Sequence, residues 1–355
     1  METTLLPTDT PELAKEANRR AVDLLHRGEV VALPTETVYG LAANGENEDA
    51  VAKIFAAKDR PKEDPLILHL PHAEYLSEVA EVPEEISGAI GQLTQAFWPG
   101  PLTLILPKHP RVSPLVTAGR DTVAVRLSAH PIFSKIARLA GCAIAAPSAN
   151  RFGRISPTSA SAVLEELSGR IPLIVDGGAC SCGLESTIIR VEPGAKTKPH
   201  FHLLRPGPIT RDALKEWGKV ILPKKAKPAR EQTANAPESP APAPQEAPGL
   251  FASHYAPATP LRLLASPDDF QPEPGKRYAL LSYKEDPKAG YLSLHPWEEV
   301  VTLSPGAGKL AEAAVRLYFV LRQLDRLGVD EIIAEPVSEA GLGLAIMDRL
   351  RRASS

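Results

Sequence analysis

Apolar and polar residues follow two periods along this chain, and the switches between them mark its elements. After the cap and proline Thr10-Pro11, residues Leu13, Ala17, Ala21, Leu24 and Leu25 recur at helical spacing until Gly28 ends the run. The apolar run 30–33 reads as a strand. Asn47 can cap a helix over about 48–57, with Val51, Ile54 and Phe55 on one face. Residues 66–70 read as a buried strand. An amphipathic helix is expected over 83–97, stopped by the rigid turn Trp98-Pro99-Gly100-Pro101. Further strands are expected at 102–106, 121–127, 142–146, 173–176, 185–191 and 202–205, with helices at 131–139, 156–167 and 210–217. Several strand-to-strand links are too short to hold a crossover helix. The pattern therefore predicts a twisted mixed sheet carrying helices, not a purely parallel one.

Beyond residue 220 the periodicity stops. Residues 223–248 are rich in Pro and Ala and read as a solvated tether, whose Lys224, Lys225, Lys227 and Arg230 are its main charges. His254 and Tyr255 follow between rigid turns, and a linker seldom carries aromatics unless they pack on something. Periodicity returns with strands at 278–282 and 331–334. A helix over 308–327 carries Leu310, Ala314, Leu317, Leu321 and Leu324 on one face, and a last helix ends at Arg352. The expected organisation is a catalytic-sized α/β domain over 1–220, a linker over 221–260 and a small Rossmann-like α/β domain over 261–355.

Composition narrows the classes. A length of 355 residues suits two domains, and 43% hydrophobic residues suffice for two cores. The net charge of -3 offers no global basic field for nucleic acid. Three cysteines, Cys142, Cys180 and Cys182, fit neither a disulfide framework nor a paired zinc site, so no metal site is expected. The N-terminal stretch lacks an apolar signal core, and no apolar run approaches the roughly 18 residues of a membrane span. The expectation is a soluble, cytoplasmic protein.

Candidate chemistry concentrates between residues 34 and 70. PTETVYG, starting at Pro34, brings hydroxyls and a tyrosine. KDRP, starting at Lys58, brings two cations to the end of a helix. Hydroxyls with two fixed cations suit an oxyanion, of which phosphate is the commonest. Other motifs fail. Pro305-Gly306-Ala307-Gly308-Lys309 lacks the first glycine and the Ser/Thr of a phosphate loop, and Gly341–Ile346 lacks the third glycine of a dinucleotide fingerprint. His200-Phe201-His202 has no partner ligands, and no G-x-S-x-G occurs. A site without a covalent nucleophile remains. Each candidate also has a plain reading: His69 as a core histidine, Arg126 paired with a surface carboxylate, Ser148 and Ser156 as helix caps, Tyr255 as interdomain packing.

The ordered series PTETVYGLA, KDRP with PLILH, FWPGPLTLIL, VAVRL, APSAN, SPT, ESTII and LRPG resembles the YrdC-type domain. SHYAP and the terminal GLGLAIMDRLRRA resemble its longer, two-domain form, the L-threonylcarbamoyladenylate synthases. The resemblance covers nearly the whole chain apart from the linker. It implies that L-threonine, bicarbonate and ATP give threonylcarbamoyl-AMP and pyrophosphate. The product would serve a separate threonylcarbamoyl transferase complex that modifies the adenosine beside the anticodon of tRNA. It further implies a threonine set of Thr37, His69, Arg126, Ala146 and Ser186. The implied nucleotide set is Lys58, Arg60, Asp64, Thr122, Ser148, Asn150, Ser156, Arg205 and Tyr255, with Lys58 and Arg60 stabilising the reacting phosphate and Tyr255 closing as a lid. No tightly bound cofactor is implied; Mg2+ would accompany ATP. Contact with tRNA or other double-stranded RNA is a further implication, membrane contact is not. Two positions depart from the usual pattern: Asp64 is acidic, and Phe251-Ala252-Ser253 replaces a basic-aromatic-basic triplet. Two other classes compete. A non-catalytic RNA-binding module fits poorly with the net charge and few aromatics. The carbamoyl-transfer enzyme of hydrogenase maturation carries zinc-finger cysteines that this chain lacks.

Overall fold

The computed structural model describes residues 1–194, 198–222, 245–251 and 254–355. Most of the Pro/Ala-rich tether, with Lys224, Lys225, Lys227 and Arg230, lies outside the described residues, as do Ala252 and Ser253.

The first unit runs β1 (Thr4–Pro7), α1 (Pro11–His26), β2 (Val31–Leu33), β3 (Gly40–Asn44), α2 (Glu48–Lys58), β4 (Ile67–His69), α3 (Leu76–Val79), α4 (Glu84–Phe97), β5 (Leu102–Pro107) and α5 (Pro114–Thr117). It continues with β6 (Thr122–Arg126), α6 (Pro131–Ala140), β7 (Ile144–Ala145), α7 (Ala160–Leu167), β8 (Leu173–Asp176), β9 (Thr187–Glu192), β10 (His200–Arg205), α8 (Arg211–Lys215) and β11 (Lys219–Ile221). Eleven strands form one sheet in the order β1-β8-β2-β3-β7-β4-β6-β5-β9-β10-β11, with parallel and antiparallel neighbours mixed. The mixed sheet is as the short links predict.

The second unit holds β12 (Leu261–Leu263), β13 (Tyr278–Ser282), β14 (Val300–Thr302), α9 (Leu310–Asp325), β15 (Glu331–Ala334) and α10 (Gly343–Ala353). Its four strands are all parallel, in the order β12-β15-β13-β14.

Strand alternation decides which side chains become core and which become site. Leu68 of β4, Val123 and Val125 of β6, Leu104 of β5 and Ile189 of β9 face the main core. Their neighbours Ile67, Ala124, Ile105 and Ile188 turn to the opposite face and form a small cluster there. His69 and Arg126 share that opposite parity, and the register pairs His69 with Arg126 and Arg126 with Thr103. One row across three strands thus carries a histidine, an arginine and a threonine on the non-core face.

PTETVYG directly follows a strand. β2 ends at Leu33, and residues 34–39 form the loop of an antiparallel β2–β3 hairpin. The Thr35 hydroxyl builds that loop: it accepts from the amides of Thr37 at 3.1 Å and Val38 at 3.2 Å and donates to the Val38 carbonyl.

The two units meet through buried polar and apolar contacts. Val38, Ile155 and Leu184 of the first pack into the core of the second. Glu185 accepts from Tyr318 of α9 and Arg349 of α10, and Arg322 pairs with Glu166 at 3.1 Å. Gly183 marks the closest backbone approach. Its φ is +70°, and an added Cβ would lie 2.7 Å from the carbonyl oxygens of Ala314 and Val315. Gly183→Ala is therefore expected to lower stability by about 2–4 kcal/mol, from backbone strain plus overpacking. A thermal midpoint within a degree of the wild type would refute this reading of the interface.

Candidate functional site

A hollow opens on the non-core face of the first sheet, between the β2–β3 loop, the ends of β4, β6, β9 and β10, and the segment 248–255. It encloses about 520 Å³ of atom-free space, its open mouth included.

Three arginines line it. Arg126, only 3% exposed, gives its Nη1 to the Thr37 hydroxyl at 3.0 Å and its Nε to the Gly100 carbonyl at 3.2 Å. Its Nη2 lies 2.7 Å from Glu36 Oε1 without an aligned hydrogen bond, so donor capacity remains there. Arg60 follows α2. Asp59 at φ 53° turns the chain out of the helix, and Arg60 then points to the Asp64 and Pro65 carbonyls and pairs with the Asp64 carboxylate at 2.8 Å. Arg205 reaches the hollow because of a bulge. The β9–β10 register slips between Leu203 and Arg205, so Leu204 and Arg205 both face away from the core. Arg205 donates to the Ser186 carbonyl and hydroxyl, both at 3.1 Å, and to the Pro248 carbonyl at 3.2 Å. All three acceptors are uncharged, and among the described residues Arg205 has no carboxylate within ion-pair distance.

Ionisation follows from burial and partners. Burial alone would raise the Glu36 carboxyl, but Arg126, the Ser128 hydroxyl and the Ala129 amide outweigh it and hold the group at about 2. Glu185 is also held at about 2: burial opposes, while Arg349 and Arg205 prevail. Burial, with Arg126 acting in the same direction, pushes His69 down to about 3, so it is neutral at pH 7. The His69 ring packs on Phe133 of α6 at 4.7 Å, and its Nδ1 has no partner. Burial raises Asp64 and Arg60 opposes it, and Gly249 donates to that carboxylate at 3.4 Å.

Of the residues implied by the sequence resemblance, Thr37, Arg60, His69, Arg126, Ala146, Ser148, Ser186, Arg205 and Tyr255 line the hollow. Lys58, Asp64, Thr122, Asn150 and Ser156 do not. The Lys58 ammonium, 1% exposed, is held by the Ser148 carbonyl at 2.5 Å and the Asn150 carbonyl. It ties the loop after β7 to the end of α2 and stands behind the wall. Asn150 spends its amide on the Arg151 and Arg154 carbonyls, both at 2.8 Å. Ser156 is fully buried. Thr122 has the parity of Arg126 but starts β6, four residues earlier along the strand. The implied site sets leave out Thr35, Glu185, Gly249 and His254, which also line the hollow, and Glu36, which pairs with Arg126; of these only His254 stood out in the sequence, as a linker aromatic. Glu185 had one usable signal: a carboxylate directly ahead of a buried strand requires a cation.

The family described as Telomere recombination (Sua5_yciO_yrdC) matches residues 23–207. The family described as Threonylcarbamoyl-AMP synthase, C-terminal domain (Sua5_C) matches residues 209–355. The chain belongs to the Sua5/YciO/YrdC family. Among curated relatives, the threonylcarbamoyl-AMP synthase of Pyrococcus abyssi is 41% identical over 95% of this chain and 93% of its own. That of Bacillus subtilis is 40% identical over 98% of this chain and 94% of its own. The structure of P. abyssi Sua5 complexed with L-threonine superposes with a TM-score of 0.78 at 36% identity, covering 100% of this chain and 98% of that one. A His-to-Ala, Tyr-to-Ala double variant of P. abyssi Sua5 gives 0.79 at 37% identity, covering 99% and 96%. The Sua5-type two-domain architecture thus extends across the whole chain.

Two ionisation predictions follow from this geometry. The folded value of Glu36 lies below its free value of 4.5, so its contribution to stability is present above about 4.5 and lost as pH falls toward about 2. The thermal midpoint should fall across that window. The slope should be shallower in Glu36→Gln, whose midpoint at neutral pH is lower because Arg126 loses its ion pair. Equal slopes would remove Glu36 from the acid transition. His69 should show no titration in histidine-resolved NMR from pH 8 down to 5, since its folded value lies far below the free 6.5; a midpoint near 6.5 would mean that the ring is solvated.

Proposed function

We propose that this chain is a threonylcarbamoyl-AMP synthase in which the hollow holds threonine and ATP face to face. The observation that carries the reading is a set of three buried arginines lining one hollow, of which Arg205 hydrogen-bonds only neutral acceptors. A buried cation without a counter-ion is costly unless an anion joins it.

The amine of threonine reacts with bicarbonate to give an N-carboxylate and water. That carboxylate attacks the α-phosphorus of ATP, and pyrophosphate leaves. No protein atom enters a bond. The protein's contribution is alignment and charge stabilisation at the phosphorus. Arg126 holds the amino-acid carboxylate, using the donor capacity that Glu36 leaves unfilled. Thr37, Ser186 and neutral His69 stand around the same end, and Ala146 forms its apolar wall. Arg60 and Arg205 face the phosphates, with Ser148 beside them. Tyr255 closes the hollow over the nucleotide. Lys58, Asn150 and Asp64 support the wall: Lys58 fixes the 148–150 loop, and Asp64 orients Arg60 and receives the Gly249 amide.

Mg2+ belongs to the substrate in this reading. Glu36, Asp64 and Glu185, the carboxylates around the hollow, are each engaged by an arginine, so they do not form a protein cage for a cation. The chemistry Mg2+ supplies is neutralisation of the triphosphate with which it arrives. The product feeds a separate transferase complex acting on tRNA, and the net charge of -3 favours that indirect route over tRNA docking on this chain. Among the described residues no helix is long and apolar enough to cross a membrane.

Purified protein is expected to release pyrophosphate from ATP only with threonine and bicarbonate together; equal release without threonine would refute the assignment. Arg126→Ala is expected to raise the threonine KM by ten- to a hundredfold, matching the loss of about 1.5–3 kcal/mol for a charge-assisted pair, and to change the ATP KM little. The reverse pattern would exchange the two ends of the hollow.

A further inference from the structure

Tyr255 packs into the core of the second unit. Its ring is 1% exposed, and its backbone is left-handed at φ 65°. The Arg349 guanidinium of α10 lies 4.9 Å from the ring centroid, and Tyr318 of α9 stacks at 5.9 Å and 30°. The phenol hydroxyl reaches the hollow beside Gly249 and has no hydrogen-bond partner. A buried, unpartnered hydroxyl aimed into a hollow is a donor waiting for a ligand.

Arg349 is unusually well fixed for a residue so far from the reacting groups. It is fully buried. Its Nε donates to Glu185 at 2.8 Å, its Nη1 to Asp348 at 2.5 Å and its Nη2 to the Pro206 carbonyl at 3.1 Å. Every edge of the fork is used, so the plane cannot rotate, and its face is left for the Tyr255 ring. Glu185, which anchors the Nε, also accepts from the Tyr318 hydroxyl at 2.8 Å. One carboxylate on the wall of the hollow therefore sets both side chains that hold Tyr255. A desolvated guanidinium over a tyrosine face is the strong form of the cation–π contact.

We propose that Arg349 is a positioning residue of the active site, acting through Tyr255, so that the second domain braces from outside a hollow whose lining comes from the first domain and the linker. This rests on the reading above that Tyr255 closes over the nucleotide. It gives the second domain a function in ATP retention and none in threonine recognition.

The test is a double-mutant cycle on the full-length protein, read as the ATP dissociation constant by calorimetry, which needs no turnover. Arg349→Met and Tyr255→Ala are each expected to weaken ATP at least tenfold and to leave threonine affinity within about twofold. The double variant is expected to be no weaker than Tyr255→Ala alone, because Arg349 has then nothing left to hold. Independent, multiplying effects would overturn the proposal, as would ATP and threonine weakening together, which is what plain loss of interdomain packing produces. Where Arg349→Met does not fold, Arg349→Lys keeps the charge without the planar fork and runs the same cycle with the same two outcomes. Pyrophosphate release by wild type without threonine would count against the synthase reading alone and leave this coupling to be judged by ATP binding.

Discussion

Positive charge withheld from water is the constraint that organises this molecule. Lys58, Arg60, Arg126 and Arg205 are all nearly inaccessible, and each is compensated differently. Arg126 and Arg60 have carboxylates, Glu36 and Asp64. Lys58 has two backbone carbonyls, and burial with Arg60 nearby pulls its ammonium well below the usual range. Arg205 has a hydroxyl and two carbonyls. Neutral acceptors replace only part of a cation's hydration. The site is thus short of negative charge by construction, and anionic substrates supply what the fold leaves out. Structural features away from the arginines read as means to this end: the hairpin loop that brings Thr37 to Arg126, the bulge that turns Arg205, the segment whose Pro248 carbonyl caps it.

Much of this was legible in the sequence, for definite reasons. His69 and Arg126 stand in apolar runs that read as strands and are strands, but these runs are apolar throughout, so which face the two side chains take shows only in the fold. Lys58 and Arg60 end a capped helix. What failed did so where local signal is weak. β3 is Gly40-Leu41-Ala42-Ala43-Asn44, with no β-branched residue to announce a strand, so the hairpin around PTETVYG does not show in the sequence. β1, β12 and β14, of three or four residues each, give too little alternation to count. The strand expected at 142–146 is regular only over Ile144–Ala145, although Ala143 and Ala146 still bond to Gly45 and Ile67 in line with the neighbouring strands.

Motif membership alone did not separate wall from support. Lys58 and Arg60 sit two residues apart in one signature, yet one holds a loop from behind and the other faces the hollow. The difference is the left-handed turn at Asp59, which a sequence pattern does not display. Asp64 looked out of place beside phosphates for the same reason: its charge was visible and its partner was not. Glu185 and Arg349 are 164 residues apart, and no local pattern links them. Long-range buried pairs of this kind become legible only when the fold brings their strands and helices together.

The chemistry explains why a second domain would be recruited to such a hollow. The product is a mixed anhydride of a carbamate and a phosphate, and water in the cavity would destroy it. On the proposed reading, in which Tyr255 closes over the nucleotide, the segment must therefore seal well and still release. Its contacts suit both demands. Arg352 donates to the Leu250 and Phe251 carbonyls at 2.9 and 2.7 Å, Arg205 to Pro248, and the Gly249 amide to Asp64. Hydrogen bonds of this kind, each with one charged partner, contribute about 1.5–3 kcal/mol net, because water replaces them on opening. Ala247 and the Tyr255 ring supply the apolar part of the seal, at the first and second units respectively. On the proposed reading, a seal of exchangeable bonds with two apolar anchors would close against water without locking, and only while both units hold their ends.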